Sequence, residues 1–251
     1  MTTIDRALAL LEHFSETRPA IGLTQLAALS EYDKATTRRM LMALTRCGYI
    51  EQDRATKEYR LGAALVRLAR VREATFPIQS IIEPMLRKIV EATGETAHFS
   101  LACGASLATL GLVESSRAHC VRLEKGEALP LHATASGIAF LAFAAPGNGL
   151  PPRASLRAFT PKTVTDVAKL GTKIAAARRN GWASSVDGYE DGVFGLAAPV
   201  FGADGYAMGA VAIAAPSSRV TTRLEPRLRA VITDAAKEIS QALGGSSEAA
   251  A

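Results

Sequence analysis

The sequence predicts an α+β chain in two units: an N-terminal set of helices closed by a short hairpin, then a linker helix and a larger domain with an antiparallel sheet. Three observations carry this. Apolar side chains recur at helical spacing from Ile4 to Cys47 and again from Leu65 to Ile89. Beyond Glu95 the period shortens to that of strands, with turn signals at Cys103-Gly104-Ala105-Ser106 and Gly202-Ala203-Asp204-Gly205. A chain of 251 residues also exceeds what one small helical unit needs.

The elements follow in order. Ile4, Leu8, Leu11 and Phe14 form the apolar face of a first helix, broken at Arg18-Pro19-Ala20-Ile21-Gly22. Thr24 is an N-cap hydroxyl for a second helix with Leu26 and Leu29 inward. Ser30-Glu31-Tyr32-Asp33 is a turn whose Asp33 caps a third helix, Lys34 to Cys47, burying Met40, Leu41, Leu44 and Cys47 and stopping at Gly48. Tyr49 to Asp53 and Tyr59 to Leu61 then alternate around a polar turn at Arg54 to Glu58. Two helices in this order followed by a hairpin make a winged helix-turn-helix, which sets its second helix into the DNA major groove. From Lys34 to Ile50 there are four basic residues and no acidic one. Lys34, Thr36, Thr37, Arg38 and Arg39 are therefore the candidate contacts to bases or phosphates, with Arg54 and Lys57 on the wing. The charge is local: residues 1–62 carry nine Lys and Arg against eight Asp and Glu.

Leu61 to Thr75 reads as a helix with Leu65, Leu68 and Ala69 inward, and Pro77 opens another with Ile78, Ile81, Ile82, Met85 and Ile89 on one side. That second apolar face is a candidate dimer contact or ordinary core. Strands are expected at Thr96 to Ala102, Leu107 to Glu114 and Cys120 to Leu123, followed by an apolar helix, Ser136 to Ala145, and a loop-rich stretch from Pro146 to Pro161. Thr165 caps a helix ending at Asn180-Gly181; strands follow at Ala183 to Val186, Leu196 to Phe201 and Tyr206 to Ala214. A last helix runs from Leu224 to Leu243, presenting Leu224, Leu228, Val231, Ala235 and Ile239. The predicted domains are 1–62, a linker helix at 63–76, 77–245, and a disordered tail at 246–251.

Composition narrows the function. A hydrophobic share of 48% with 21% charged residues predicts a soluble globular protein with a sizeable core. A net charge of +5 suits a polyanionic partner. No apolar run has the length of a membrane span, and no signal peptide is legible. Cys47, Cys103 and Cys120, odd in number and without CxxC spacing, point to free thiols in a reducing cytoplasm. Hydrolase, P-loop, zincin and dinucleotide-binding motifs are missing from the sequence. No catalytic residue, cofactor or metal site is expected, although an enzyme using a Cys/His pair and a ligand-independent DNA-binding protein stand as alternatives.

The chain resembles IclR-type transcriptional regulators over nearly its whole length. The resemblance rests on Ile4-Asp5-Arg6-Ala7-Leu8, Lys34 to Arg39, Gly48-Tyr49-Ile50, Tyr59 to Gly62 and Thr93 to Thr96. It continues through Leu131 to Gly137, Phe159 to Thr163, Ala197 to Phe201 and Pro216 to Arg219. It implies a GAF-related effector-binding domain and ligand-controlled binding to double-stranded promoter DNA by a homodimer or a dimer of dimers. It also implies a pocket at Ser136 and Gly137. Where relatives sensing small oxoacids carry an acidic residue, a cysteine and two serines, this chain has Ser185, Gly195, Ala212 and Ala214. Losing those anchors leaves a small anion poorly solvated. The expected pocket is wider and drier, and its effector a larger, partly apolar compound such as an aromatic or branched acid. Arg117, His119, Arg122, Asp187, Tyr189 and Glu190 are candidates to grip it, while His132 has a structural part.

Overall fold

The computed structural model describes residues 2–147 and 156–245; the predicted tail and the middle of the Pro146 to Pro161 stretch lie outside them. Two compact units divide between Pro77 and Ile78, so the linker helix falls with the N-terminal unit.

In that unit α1 (Thr3–Ala9) tightens into a 3₁₀ turn at Leu10–His13, and α2 (Leu23–Ser30) and α3 (Lys34–Arg46) follow. Leu10, Ile21, Leu26, Met40, Leu41, Leu44, Ile50 and Tyr59 form the core. The expected face of α1 is corrected: Ile4 and Leu8 are exposed and Leu10 is buried. The change to three residues per turn rotates the later side chains away from the α-helical stripe. The expected Thr24 cap is also corrected, since α2 starts at Leu23 behind Gly22 and places Thr24 inside the helix. Ala27 takes the buried position expected of Leu29, and Cys47 is exposed. The Asp33 cap is present: its carboxylate accepts the Thr36 N–H at 2.8 Å.

The hairpin pairs β1 (Ile50–Gln52) with β2 (Tyr59–Leu61), Ile50 facing Leu61. Gly62 brings the chain back against the end of α3, where an added Cβ would lie 2.2 Å from the Gly48 carbonyl oxygen. Next comes α4 (Ala63–Thr75), which among the described residues buries no side chain. Leu68 and Ala69, expected inward, are exposed, because the core of this unit is already closed by α1 to α3 and the hairpin.

The second unit begins with α5 (Ile78–Thr93) and holds a six-stranded antiparallel sheet ordered β5-β4-β3-β8-β7-β6. The strands are β3 (Thr96–Cys103), β4 (Ser106–Val113), β5 (Ala128–Pro130), β6 (Ala183–Val186), β7 (Val193–Phe201) and β8 (Ala207–Pro216). Ile78, Ile82, Leu86 and Ile89 of α5 pack with α8 (Glu225–Ala242) on Phe99, Leu196, Val211 and Ile213. Ile78, Ile82 and Ile89 of the branched face of α5 are therefore core. The opposite sheet face carries α6 (Ala135–Phe143) and α7 (Val167–Asn180) over small residues, Ala183, Ala197, Ala210 and Ala212. Three expectations shift. Cys120 to Leu123 is not a strand, because the Thr96 hydroxyl, not a ladder, holds that segment by donating to the Val121 carbonyl. Asp166 rather than Thr165 caps α7, and α8 buries Ile232 and Ala236 in place of Val231 and Ala235.

Candidate functional site

The basic helix α3 has two unlike faces. Thr37, Met40, Leu41 and Leu44 are buried, whereas Lys34, Arg38 and Arg39 are exposed and Thr36 is half-buried. Thr37 cannot reach DNA as expected: it is fully buried, and its hydroxyl donates to the Asp33 carbonyl at 2.9 Å. On the hairpin, Asp53 Oδ1 accepts the Ala55 and Thr56 N–H groups, and Lys57 sits beyond them at φ +60°. A lysine in this left-handed conformation is held by the turn rather than by its own preference. Arg54 and Lys57 both project from the exposed tip.

In the second unit a cavity of about 60 Å³ lies where α6 begins above the sheet. Its floor comes from register. Ser185 faces Gly195, Gly195 faces Ala214, and Ala214 faces Thr96 on four neighbouring strands. One row on, His98 faces Ala212. Ala135 and Ser136 at the start of α6 form the roof, while Val121, Leu123 and Leu129 close one side and Tyr189 and Val193 the other. Polar groups are few. Ser185 Oγ donates to the Ala133 carbonyl at 3.1 Å, and Tyr189 Oη to Glu127 Oε1 at 2.9 Å. Burial, then the Glu127 carboxylate, pushes the Tyr189 phenol up. His98 Nε2 lies 3.2 Å from Ser136 Oγ, while its buried Nδ1 has no hydrogen-bond partner among the described residues. Burial holds the His98 imidazole down at about 4. Among the described residues, Glu190 is the only charged one in the lining. A larger groove of about 900 Å³ along α8 and Trp182 is lined by none of the predicted site residues.

The IclR helix-turn-helix domain matches residues 3–54, and the C-terminal domain of the bacterial transcriptional regulator IclR matches residues 74–241. The chain belongs to the IclR family. It is a transcriptional regulator with a DNA-binding winged helix-turn-helix and an IclR-type C-terminal domain, which sets aside the Cys/His enzyme. A solved IclR regulator from Silicibacter sp. TM1040 is 40% identical, covers 98% of this chain and 97% of its own, and superposes with a TM-score of 0.86. The transcriptional repressor IclR of Escherichia coli K12 is 27% identical over 97% of this chain and 90% of its own length. An IclR homologue from Microbacterium hydrocarbonoxydans, solved with 4-hydroxybenzoate, shares the fold at a TM-score of 0.72 and 22% identity, covering 96% of this chain and 99% of its own.

Within this IclR regulator the predicted pocket residues separate into two groups. Ser136, Ser185, Tyr189, Gly195, Ala212 and Ala214 line one cavity. Gly137 and Asp187 do not. Gly137 donates its N–H to the Thr134 hydroxyl and packs so closely that an added Cβ would lie 2.3 Å from the Leu131 carbonyl oxygen. Asp187 bonds Lys162 Nζ at 2.5 Å and the Gly192 N–H at 2.9 Å; the lysine contact holds its carboxyl below the usual range. Arg117 is likewise drawn away, pairing with Arg219 on the fully buried Glu95. The expected width is corrected too. The space vacated at Gly195 is closed by Ala135, whose Cβ would lie 3.3 Å from a Cβ there. Sequence reasoning missed His98; its place in the alternation of β3, facing the same side as Thr96 and Ser100, was the available signal. His132 does not line the cavity, and its Nε2 lies 2.9 Å from the Arg157 carbonyl oxygen.

Proposed function

We propose that this regulator binds a near-palindromic operator as a homodimer, or as a dimer of dimers, in the bacterial cytoplasm, and that a small organic acid with an apolar body controls that binding. Lys34, Thr36, Arg38 and Arg39 reach bases and phosphates in the major groove, and Arg54 and Lys57 touch the adjacent backbone. The observation that carries this is α3, whose basic residues are exposed while its opposite face is locked in the core. Two copies join through the apolar side chains that α4 leaves open, Val66, Leu68 and Val71. The effector enters the cavity between Ser136, Ser185, Tyr189, Gly195, Ala212 and Ala214, whose small apolar floor favours a hydrocarbon body over a two-carbon acid.

The test is a binding series on operator DNA. Arg38→Ala should lose about 1–3 kcal/mol and relax selectivity at one base pair. Lys57→Ala should weaken all sequences alike and flatten the salt dependence by about one unit of slope. Unchanged affinity in the Arg38→Ala, Arg39→Ala double variant would remove this placement.

A further inference from the structure

The polar groups of the cavity do not balance. Among the described residues, the only partner of the Ser136 hydroxyl is His98 Nε2. If Nε2 carried the proton, the serine hydrogen would have no acceptor and Nδ1 would be an empty acceptor as well, two unmet groups in one apolar site. If Ser136 donates to Nε2, the imidazole proton lies on Nδ1, and only that one donor is unmet. Each buried polar group left unmet is destabilising, so the second arrangement, with one instead of two, is favoured. The imidazole is neutral at physiological pH because burial disfavours its charged form. The backbone N–H groups of Ala135 and Ser136, two lining residues in the first turn of α6, also have no described acceptor. Lys and Arg side chains are absent from the described lining.

We propose that His98 is the polar anchor of the effector: its Nδ1–H donates to a carboxylate or carbonyl oxygen whose hydrocarbon part rests on Gly195, Ala212 and Ala214. This rests on reading the cavity as the effector site. The ligand class is a compact mono-acid or ketone, bound by neutral donors alone, with no side-chain cation to neutralise a second carboxylate. Glu190 at the rim works against that second charge as well.

The full-length protein, labelled with ¹⁵N at histidine, is titrated with isobutyrate, benzoate, acetophenone, toluene and succinate. Calorimetry and long-range ¹H–¹⁵N spectra follow binding. The expected result is a protonated His98 Nδ1 whose shift moves with isobutyrate, benzoate or acetophenone and not with toluene or succinate. His98→Leu should weaken the binders by about tenfold or more. His98→Asn, which keeps an N–H near the place of Nδ1, should restore most of the affinity. Binding of benzoate or isobutyrate at unchanged strength to His98→Leu, or an Nε2-protonated ring in the complex, overturns the anchor and leaves the cavity reading standing. Failure of the whole panel to bind wild-type protein overturns the cavity reading together with the anchor.

Discussion

At the scale of single residues, His98 and Glu95 show two outcomes of burying an ionisable group. Glu95 is fully buried, and Arg117 and Arg219 each hold one of its oxygens. His98 meets no charge and stays neutral, its pKa near 4 against an ordinary 6.5. That fixes a sign. Between pH 6.5 and about 4 the unfolded chain takes up a proton that the folded chain refuses, so stability falls as pH drops through this window and is unaffected by His98 above it. Urea unfolding should show a loss of up to about 2 kcal/mol between pH 7.5 and pH 5. His98→Asn should lose less over the same interval, because the His13 titration remains while that of His98 is gone. An equal loss in both proteins would mean that water reaches the imidazole.

At the scale of elements, α6 depends on one close approach. Gly137→Ala would drive a methyl group into the Leu131 carbonyl, and since that oxygen belongs to backbone the helix must shift. A loss of about 3 kcal/mol or more in chemical unfolding is expected, with DNA affinity retained in the protein that remains folded. Most elements were legible because their period and stops agree: Asp33 before α3, Asn180-Gly181 after α7, and the hairpin signals around β1–β2, β3–β4 and β7–β8. The errors share a cause. Ile4 and Leu8, Leu68 and Ala69, and the presumed strand at Cys120 to Leu123 all depended on which surface a segment meets, and periodicity reports a stripe without naming its partner. The cavity shows the same division. Its small floor residues could be assigned through the resemblance, whereas Gly137 and Asp187 were misplaced because their backbone and ion-pair duties arise only from the fold.

At the scale of the whole molecule, Val66 and Val71 are more than half exposed, at 58% and 54%, on a helix that buries nothing within its own unit. Val66→Glu with Val71→Glu should shift sedimentation from dimer toward monomer at micromolar concentration and weaken operator binding far more than binding to a half-site. A double variant that sediments as wild type would place the contact elsewhere. The seating of α6 on Leu131 also has a mechanical side. A cavity of about 60 Å³ is less than half the 150 Å³ that holds a benzene ring, so an aromatic guest needs a wall to yield. The sheet below is a continuous ladder, and α6 above is wedged at Gly137. What remains are the Val121 to Leu123 segment, held by the Thr96 hydroxyl, and the Asp187 to Val193 turn, which is riveted to its neighbour: Thr160 and Thr163 donate to the carbonyls of Asp187 and Gly188. Any displacement of that turn pulls on residues 160–163, so amide exchange should change first in those two stretches when a ligand enters, while the protection of β3 and β8 stays as it was.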